Sequence, residues 1–320
     1  MMDFKGTRAA FAAALTELGR ADGKVMFVSP DSLKAMRATA FAEEMPERYI
    51  ETGIAEQAAV DVGAGLASCG LIPFVATYAG FLTMRACEQM RTFVAYPNLN
   101  VKFMGINAGL IGGEREGVTH QFYEDIAILS SIPNFKIFLP ADAAQAYHAV
   151  KLAYETPGPV YVRLGSGRET DVYDISAPFN PAGVTVWTKD SPEVVLFSCG
   201  FVLDRVLAAA ELLRDKGVPA TVADVNIIDT ACVNPEIVAL LKGAKHVYTV
   251  EDGNVNGGLG AYVSRMACEH APVRVDRIGL STFGESGPAK DAADLYGFAP
   301  EKIARRVLDT YVASERNGGK

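Results

Sequence analysis

The chain alternates between short runs of apolar residues and longer segments in which apolar side chains recur every three or four positions. Runs of the first kind are typical of strands covered on both faces, and segments of the second kind indicate amphipathic helices. In the first half, the pattern predicts strands at residues 25–28, 74–76, 101–106, 136–139 and 159–164, and helices at 7–18, 55–69, 85–94 and 143–154. Repeated alternation of this kind predicts a doubly wound, mainly parallel sheet of the α/β class.

A stretch rich in Asp, Asn, Pro and Gly interrupts this pattern at residues 171–192, where periodicity is weak. The alternation then resumes, with predicted strands at 194–197, 221–225, 247–250 and 273–278, and helices at 202–216, 235–241, after 260, and near 291 and 303. We therefore predict two α/β domains, at 1–170 and 193–320, joined by a linker at 171–192. A chain of 320 residues suits two domains of ordinary size.

Composition and charge narrow the class of protein. Hydrophobic residues make up 49% of the sequence and charged residues 21%, as in ordinary globular proteins. A formal net charge of −8 argues against a general grip on nucleic acid or on an anionic membrane, because both need a basic surface. The five cysteines form no CxxC pair, the N-terminus has no apolar signal region, and no window has the ~20 apolar residues of a membrane span. We expect a cytoplasmic protein with no metal site of its own.

Candidate functional residues appear first around Glu56, which is predicted at the first turn of an apolar helix after a loop that contains Gly53. Its carboxylate either stabilises the helix N-terminus through the helix dipole or serves as a functional acid. Tyr78 and Phe81 follow a predicted buried strand. Aromatic side chains at such a place belong to the core or form a platform for a cofactor.

Three further features lie at the ends of predicted strands. A glycine-dense loop after the strand at 101–106 leads to His120, and ligands of open α/β sheets bind at such ends, so His120 is either functional or structural. Arg163 ends an apolar strand, where its charge needs either an internal ion pair or a bound phosphate. Gly257-Gly258-Leu259-Gly260 opens a predicted helix and suits either close helix packing or an anion at the helix N-terminus.

Together these motifs resemble the last two domains of the transketolase family, and also the matching half of 1-deoxyxylulose-5-phosphate synthase. The resemblance covers nearly the whole chain. In the first domain it rests on Ile54-Ala55-Glu56-Gln57, Gly63-Ala64-Gly65-Leu66-Ala67, Thr77-Tyr78-Ala79-Gly80-Phe81, Arg85-Ala86-Cys87-Glu88-Gln89 and Gly117-Val118-Thr119-His120-Gln121. In the second it rests on Val250-Glu251-Asp252, Asn256-Gly257-Gly258-Leu259-Gly260 and Phe283-Gly284-Glu285-Ser286-Gly287.

The resemblance implies a pyrimidine-binding domain followed by a transketolase C-terminal-like domain, with thiamine diphosphate and magnesium as cofactors. It assigns Glu56 a catalytic role, as the carboxylate that hydrogen-bonds the pyrimidine nitrogen N1′. Tyr78 and Phe81 would stack against the pyrimidine ring, and Asp31 would line the cofactor pocket. These assignments favour the functional interpretation of Glu56 and of both aromatic residues.

The resemblance also implies contacts with the substrate. His120 would be a second catalytic residue, close to the substrate's oxygens, and Arg163 and Arg85 match positions associated with the sugar phosphate. Asn107 departs from the pattern, because relatives commonly carry a histidine or an arginine near that point. With the loop Glu114-Arg115-Glu116, this substitution leaves the acceptor and its phosphate contacts open.

The family's N-terminal domain, which holds the magnesium and the diphosphate, has no counterpart in this sequence. The resemblance therefore implies a split transketolase in which a partner chain supplies that domain, in an α2β2 complex with this chain self-associating as a dimer. The expected reaction transfers a two-carbon ketol unit between sugar phosphates. Two alternatives stay open: a subunit of a 1-deoxyxylulose-5-phosphate-synthase-like or 2-oxo-acid-decarboxylating enzyme, and a non-catalytic transketolase-like binding protein.

Overall fold

The computed structural model describes residues 4–113 and 117–316, which form two β-sheets with helices packed on their faces. The loop Glu114-Arg115-Glu116 and the last four residues of the chain lie outside the described residues. The strands are β1 (Val25–Ser29), β2 (Tyr49–Glu51), β3 (Ile72–Tyr78), β4 (Lys102–Ile106), β5 (Lys136–Phe138), β6 (Val160–Arg163), β7 (Val184–Val186), β8 (Val194–Cys199), β9 (Thr221–Val225), β10 (Ile227–Asp229), β11 (His246–Asn254) and β12 (Val275–Leu280). The α-helices are α1 (Thr7–Ala21), α2 (Thr39–Glu44), α3 (Glu56–Ser68), α4 (Cys87–Gln89), α5 (Asp125–Ser130), α6 (Ala143–Glu155), α7 (Leu203–Asp215), α8 (Pro235–Gly243), α9 (Leu259–His270), α10 (Ala289–Leu295) and α11 (Pro300–Arg316).

The first sheet has the strand order β10-β5-β6-β4-β3-β1-β2, and the second has the order β12-β11-β8-β9-β7. Neighbouring strands run parallel except at two edges, where β10 pairs antiparallel with β5 and β7 pairs antiparallel with β9. Every residue of β1, β4, β6, β8 and β9 is buried, because helices cover both faces of the sheets. The predicted fold class, two mainly parallel α/β sheets, is confirmed.

The helix predicted at 85–94 differs from the prediction in form and in extent. The chain winds as a π-helix over Phe81–Arg85, as α-helix over the short α4, and as π-helix again over Met90–Ala95. A π-turn closes its hydrogen bond one residue later than an α-turn and is frequent at functional sites. The first π-turn carries Phe81 and Arg85, two of the predicted site residues.

Three short strands, β2, β7 and β10, were not predicted, and the last two show how the chain connects the two sheets. β7 lies inside the linker predicted at 171–192 and pairs with β9 of the second sheet. Only Asn226 separates β9 from β10, and its carbonyl accepts a hydrogen bond from the backbone N–H of Leu139 at 2.7 Å. The chain crosses at this residue from the second sheet to the edge of the first.

The apolar core is continuous between the two sheets. One cluster joins Phe103 and Ile137 of the first sheet to Val195 and Phe197 of the second. Because this shared core is buried from water, it holds the strand ends of the two sheets in a fixed relation. Over residues 4–113 and 117–316, none of the helices combines the length and the apolar character needed to cross a membrane.

Candidate active site

The predicted site residues are distributed along the edge of the first sheet at which its parallel strands end. Tyr78 is the last residue of β3, Asn107 directly follows β4, and Arg163 ends β6. Asp31 follows the end of β1. Because the carboxyl ends of parallel strands meet at one edge, ligand sites of open α/β sheets form there.

Glu56 is the first residue of α3, and only 4% of its side chain is exposed. Nη1 of Arg85 donates a hydrogen bond to Oε1 of Glu56 at 2.7 Å, and Gln57 donates from Nε2 to the carbonyl of Arg85 at 3.1 Å. The guanidinium carbon of Arg85 lies 3.8 Å from the ring centre of Phe81. The buried carboxylate therefore faces a planar cation that is stacked on an aromatic ring.

Four rings form a cluster beside this ion pair. Tyr78 and Phe81 lie with their ring centres 5.3 Å apart, and His120 meets both edge-on, at 5.2 and 5.3 Å. Phe122, two residues after His120 on the same segment, contacts Phe81 with their ring centres 5.3 Å apart. The hydroxyl of Thr119 lies 3.0 Å from Nδ1 of His120, which helps to fix the orientation of the imidazole. The structure thus brings Glu56, Tyr78, Phe81, His120 and Arg85 together.

A cleft of about 490 Å³ lies against the aromatic cluster and is lined by both domains. Phe81 and Arg85 line it from the first domain, and Phe283 lines it from the second. Nε2 of Gln121 donates to the carbonyl of Glu285 at 3.2 Å, which joins the loop of His120 to the loop of Phe283. The second domain therefore forms part of the cleft wall.

Glu51, at the end of β2, organises the loops around Asp31 and Glu56. Its Oε1 accepts hydrogen bonds from the backbone N–H of Asp31 at 2.6 Å and of Gly53 at 2.8 Å, and its Oε2 accepts one from the hydroxyl of Tyr49 at 2.5 Å. Burial would raise the pKa of Glu51, but these hydrogen bonds outweigh burial and hold the pKa below its usual value. Asp31 itself is exposed and has a φ of 49°.

Arg163, which the resemblance associates with the sugar phosphate, is buried in an internal ion pair and does not line the cleft. Its side chain is 1% exposed, and it pairs with Asp125 through Nε at 2.9 Å and Nη2 at 3.2 Å. Nη2 also donates to the carbonyl of Asp252 at 2.8 Å, and Tyr161 donates to Asp125 at 2.8 Å. Of the two interpretations left open by the sequence, the structure shows the internal ion pair, because a buried guanidinium is stable only beside a carboxylate.

Asn107 is fully buried and has a φ of 54°, a left-handed conformation that asparagine adopts more readily than most residues. Its backbone N–H donates to the carbonyl of Gly165 at 3.4 Å. Among the described residues, neither Oδ1 nor Nδ2 of Asn107 has a hydrogen-bond partner. Because a buried amide without a partner is costly, this side chain suits contact with a polar ligand.

The glycine run at the start of α9 packs closely, and its helix N-terminus holds an internal anion. Glu251 accepts hydrogen bonds from the backbone N–H of Leu259 at 2.7 Å and of Gly260 at 2.8 Å. A Cβ on Gly258 would lie 1.7 Å from Oε2 of Glu251, so only glycine fits there. Burial raises the pKa of Glu251 to about 7, against the effect of these hydrogen bonds. The packing interpretation is confirmed, and the anion is a side chain of the protein.

Sequence reasoning missed Glu51, which orders the loops around the site, and Asp252, a buried carboxylate whose side chain accepts hydrogen bonds from the backbone of residues 110–112. Glu51 lies in a strand of three residues, which is too short to show a periodic pattern. For Asp252 a signal existed, because two acidic residues follow the apolar run 247–250 and a buried charge needs partners. Over the described ranges, no three His, Cys, Asp or Glu side chains are grouped so that they could hold a metal ion.

The fold and the site define a class, and the sequence matches two of its domains. Residues 5–168 match the family described as transketolase, pyrimidine binding domain, and residues 183–303 match transketolase, C-terminal domain. The chain therefore belongs to the transketolase family, whose members depend on thiamine diphosphate. This confirms the resemblance seen in the sequence.

Full-length relatives identify the kind of transketolase chain. The chain is 34% identical to a subunit of the apulose-4-phosphate transketolase of Phocaeicola vulgatus, over 94% of this chain and 96% of that protein. It is 30% identical to a 6-deoxy-6-sulfo-D-fructose transketolase subunit of Clostridium sp., over 93% and 92%. A solved split-gene transketolase, described as an inactive beta4 tetramer, has a TM-score of 0.85 at 33% identity and covers 96% of this chain and 98% of its own. The chain is the C-terminal subunit of a split transketolase.

Proposed function

We propose that this chain, paired with a diphosphate-binding chain, transfers a two-carbon ketol unit between sugar phosphates. One observation carries the proposal: the buried carboxylate of Glu56 faces a planar hydrogen-bond donor that is stacked on Phe81. All five cysteines are free thiols, which supports the reducing cytoplasm as the location.

The site suits the pyrimidine half of thiamine diphosphate. An aminopyrimidine ring needs a carboxylate as hydrogen-bond partner and an aromatic face to stack on. The planar guanidinium of Arg85 makes both contacts, to Glu56 and to Phe81, and so stands in for such a ring. Tyr78 extends the aromatic wall, and Asp31 would border the pocket from the next strand end. When bound, thiamine diphosphate supplies a nucleophilic carbon that carries the two-carbon unit.

The protein's own residues would hold and move protons in this site. Glu56 would share a proton with the pyrimidine nitrogen that its carboxylate faces, and its burial strengthens such a hydrogen bond by excluding water. His120 would take up or return the proton of a substrate hydroxyl, a task for which imidazole is well suited near neutral pH. Tyr78 and Phe81 would position the ring and hold His120 beside it.

Two polar side chains would bind the substrate. In the loaded complex, Arg85 would give up its hydrogen bond to Glu56. The side chain of Arg85 is 49% exposed, and its guanidinium would then bind the sugar phosphate through two parallel hydrogen bonds. The amide of Asn107, which has no hydrogen-bond partner among the residues that the structure describes, would contact the sugar's oxygens.

A partner chain would hold the diphosphate and the magnesium, in an α2β2 complex with this chain as a dimer. The relatives named above as subunits support this, as does a homologous structure described as an inactive beta4 tetramer. Exposed apolar side chains around the cleft also support it: Phe283 is 72% exposed, and Met84 and Val118 are each 45% exposed. An exposed apolar patch of this kind is typical of a surface that another chain covers.

The test is donor-ketose turnover with thiamine diphosphate and magnesium, for this chain alone and for its mixture with the diphosphate-domain chain. We expect turnover only in the mixture, and its loss in Glu56→Ala. Glu44→Ala, which removes an exposed glutamate paired with Arg20 on the protein surface, is the matched control and should retain activity. Turnover by the chain alone would overturn the two-chain proposal. Turnover of pyruvate in place of a ketose would point to a synthase or decarboxylase instead.

A further inference from the structure

The second domain holds the glycine-rich loop of the first domain through a single carboxylate. Oδ1 of Asp252 accepts a hydrogen bond from the backbone N–H of Leu110 at 2.7 Å. Oδ2 accepts hydrogen bonds from Ile111 at 2.8 Å and from Gly112 at 3.1 Å. Three successive N–H groups that converge on one anion form a backbone nest. Here the anion belongs to the protein, at the end of β11.

The fit between the loop and this carboxylate leaves no room for a side chain. Gly109 has a φ of 81°, and a Cβ there would lie 2.1 Å from Oδ2 of Asp252. Both the backbone conformation and the close approach therefore require glycine. The loop could not bind Asp252 in this way with any other residue at position 109.

The backbone of Asp252 is fixed from the first domain. Nη2 of Arg163 donates to the Asp252 carbonyl at 2.8 Å, and Arg163 is itself held by two hydrogen bonds to Asp125. All three residues are fully buried. The ion pair that keeps Arg163 away from the substrate therefore has another task, which is to anchor the residue that holds the loop.

The loop held by Asp252 contacts the segment that carries His120 and Phe122 of the aromatic cluster. The backbone N–H of Gly109 donates to the carbonyl of Phe122 at 2.5 Å, and both Ala108 and Gly109 pair with Phe122 as isolated bridges. The ring of Phe122 packs on Phe81 at 5.3 Å and lies 6.4 Å from His120. A shift of the loop at Gly109 would therefore move the segment that carries His120 and Phe122.

We propose that Asp252 is a positioning residue through which the second domain sets the place of His120 in the active site. The inference rests on the proposed function for the role of His120, and on the contacts above for the positioning. Through Asp252 the second domain then affects catalysis by positioning His120 and not by contact with the substrate.

The test compares Asp252→Asn with Glu251→Gln. Both variants neutralise a buried carboxylate that accepts backbone N–H groups, but Glu251 binds α9 of its own domain and not the loop. The first readout is NMR of the full chain labelled at histidine Cε1. The sequence has four histidines, and the His120 signal is assigned by its loss in His120→Gln. We expect Asp252→Asn to shift or broaden the His120 signal and to leave the signals of His148 and His270 unchanged, whereas Glu251→Gln leaves His120 unchanged.

The second readout is kinetic, in the reconstituted two-chain enzyme. We expect Asp252→Asn to lower kcat about 10- to 100-fold, because small displacements of a catalytic group are costly, while the Kd for thiamine diphosphate stays within about twofold. If Asp252→Asn does not fold, Gly109→Ala disturbs the same contact from the loop side, because its Cβ would collide with the Asp252 carboxylate. It should shift or broaden the His120 signal in the same way. An unchanged His120 signal with unchanged kcat would overturn the proposal. Because the NMR measurement needs no turnover, an inactive wild-type mixture would count against the proposed function alone.

Discussion

Arg85 and Glu56 are 29 residues apart in the chain and meet in the candidate active site, where Nη1 of Arg85 donates to Oε1 of Glu56 at 2.7 Å. The same guanidinium lies over the ring of Phe81 at 3.8 Å. These are the two contacts that the proposed function gives to the aminopyrimidine of the cofactor. Arg85 therefore keeps the buried carboxylate of Glu56 paired, and under the proposed function the cofactor's ring would replace it at both contacts.

Removing Arg85 should change cofactor and substrate binding in opposite directions. In Arg85→Met the cofactor no longer displaces an ion pair, and a partly exposed pair contributes about 1 kcal/mol or less, so thiamine diphosphate should bind up to about fivefold tighter. The KM for the sugar phosphate should rise, because a phosphate contact is lost. Titration of cofactor into the reconstituted enzyme and steady-state kinetics measure the two effects. Arg20→Met, on the surface of α1, is the control, and weaker cofactor binding in Arg85→Met would contradict this account.

His120 should affect turnover rather than cofactor binding. Removing a general acid or base typically costs 10²- to 10⁴-fold in rate, so His120→Gln should lower kcat by about 100-fold or more. The Kd for thiamine diphosphate should stay nearly constant, since Glu56 and Phe81 remain. His148→Gln is a matched control, because that imidazole contacts the carbonyl of Ile175 on another part of the surface. Equal effects of the two substitutions on kcat would show that His120 has no special role.

Arg163 should govern stability and not phosphate affinity. Arg163→Met leaves Asp125 buried without its cation, and breaking a buried pair in this way typically costs about 3 to 5 kcal/mol of the free energy of unfolding. Urea unfolding measures the loss, and adding Asp125→Asn to the same chain should recover part of it. A variant with unchanged stability and a selectively raised KM for sugar phosphate would restore the phosphate-binding assignment.

Asp224 should make stability depend on pH. It is fully buried and accepts hydrogen bonds from Tyr173 at 2.8 Å and Asn226 at 2.7 Å, and burial raises its pKa to about 7. In the unfolded chain an aspartate titrates at about pH 4. Between about pH 4 and 7, Asp224 is therefore protonated more often in the folded chain than in the unfolded chain. The stability that protonated Asp224 contributes is fully present below about pH 4 and is lost as the pH rises through about 7.

Asp224→Asn removes this titration. The variant's free energy of unfolding, relative to wild type, should therefore increase between pH 5 and pH 8, by an amount on the order of a few kcal/mol. Urea midpoints of both proteins at the two pH values give the difference, and groups such as Glu251 that titrate alike in both proteins cancel. Parallel pH curves for variant and wild type would contradict the assignment of a raised pKa to Asp224.

The sequence was sufficient to predict the alternation of strands and helices, because long apolar runs and amphipathic segments carry a clear period. It was not sufficient for β2, β7 and β10, which have three residues each and no periodic pattern. Nor did it indicate the π-turn at Phe81–Arg85, because the residues of a π-turn have the same composition as those of an α-turn.

For the site, the position of a residue could be predicted more reliably than its partner. Glu56 at a helix start and His120 after a glycine-rich loop were visible from local pattern. The need of Arg163 for a counter-charge was also visible, but Asp125 lies 38 residues away and only the fold brings the two together. The contact of Asp252 with residues 110–112 spans about 140 positions in the chain and was likewise out of reach of local patterns.

The central claim is that this chain completes an active site only together with a diphosphate-binding chain. The most direct measurement is a titration of this chain into a fixed amount of the partner chain, with thiamine diphosphate and magnesium present, while donor-ketose turnover is followed. The account predicts no turnover by either chain alone. It predicts that turnover rises as this chain is added and saturates at one copy of each chain. Turnover by this chain alone, or an assembled one-to-one complex that turns over no ketose, would contradict it.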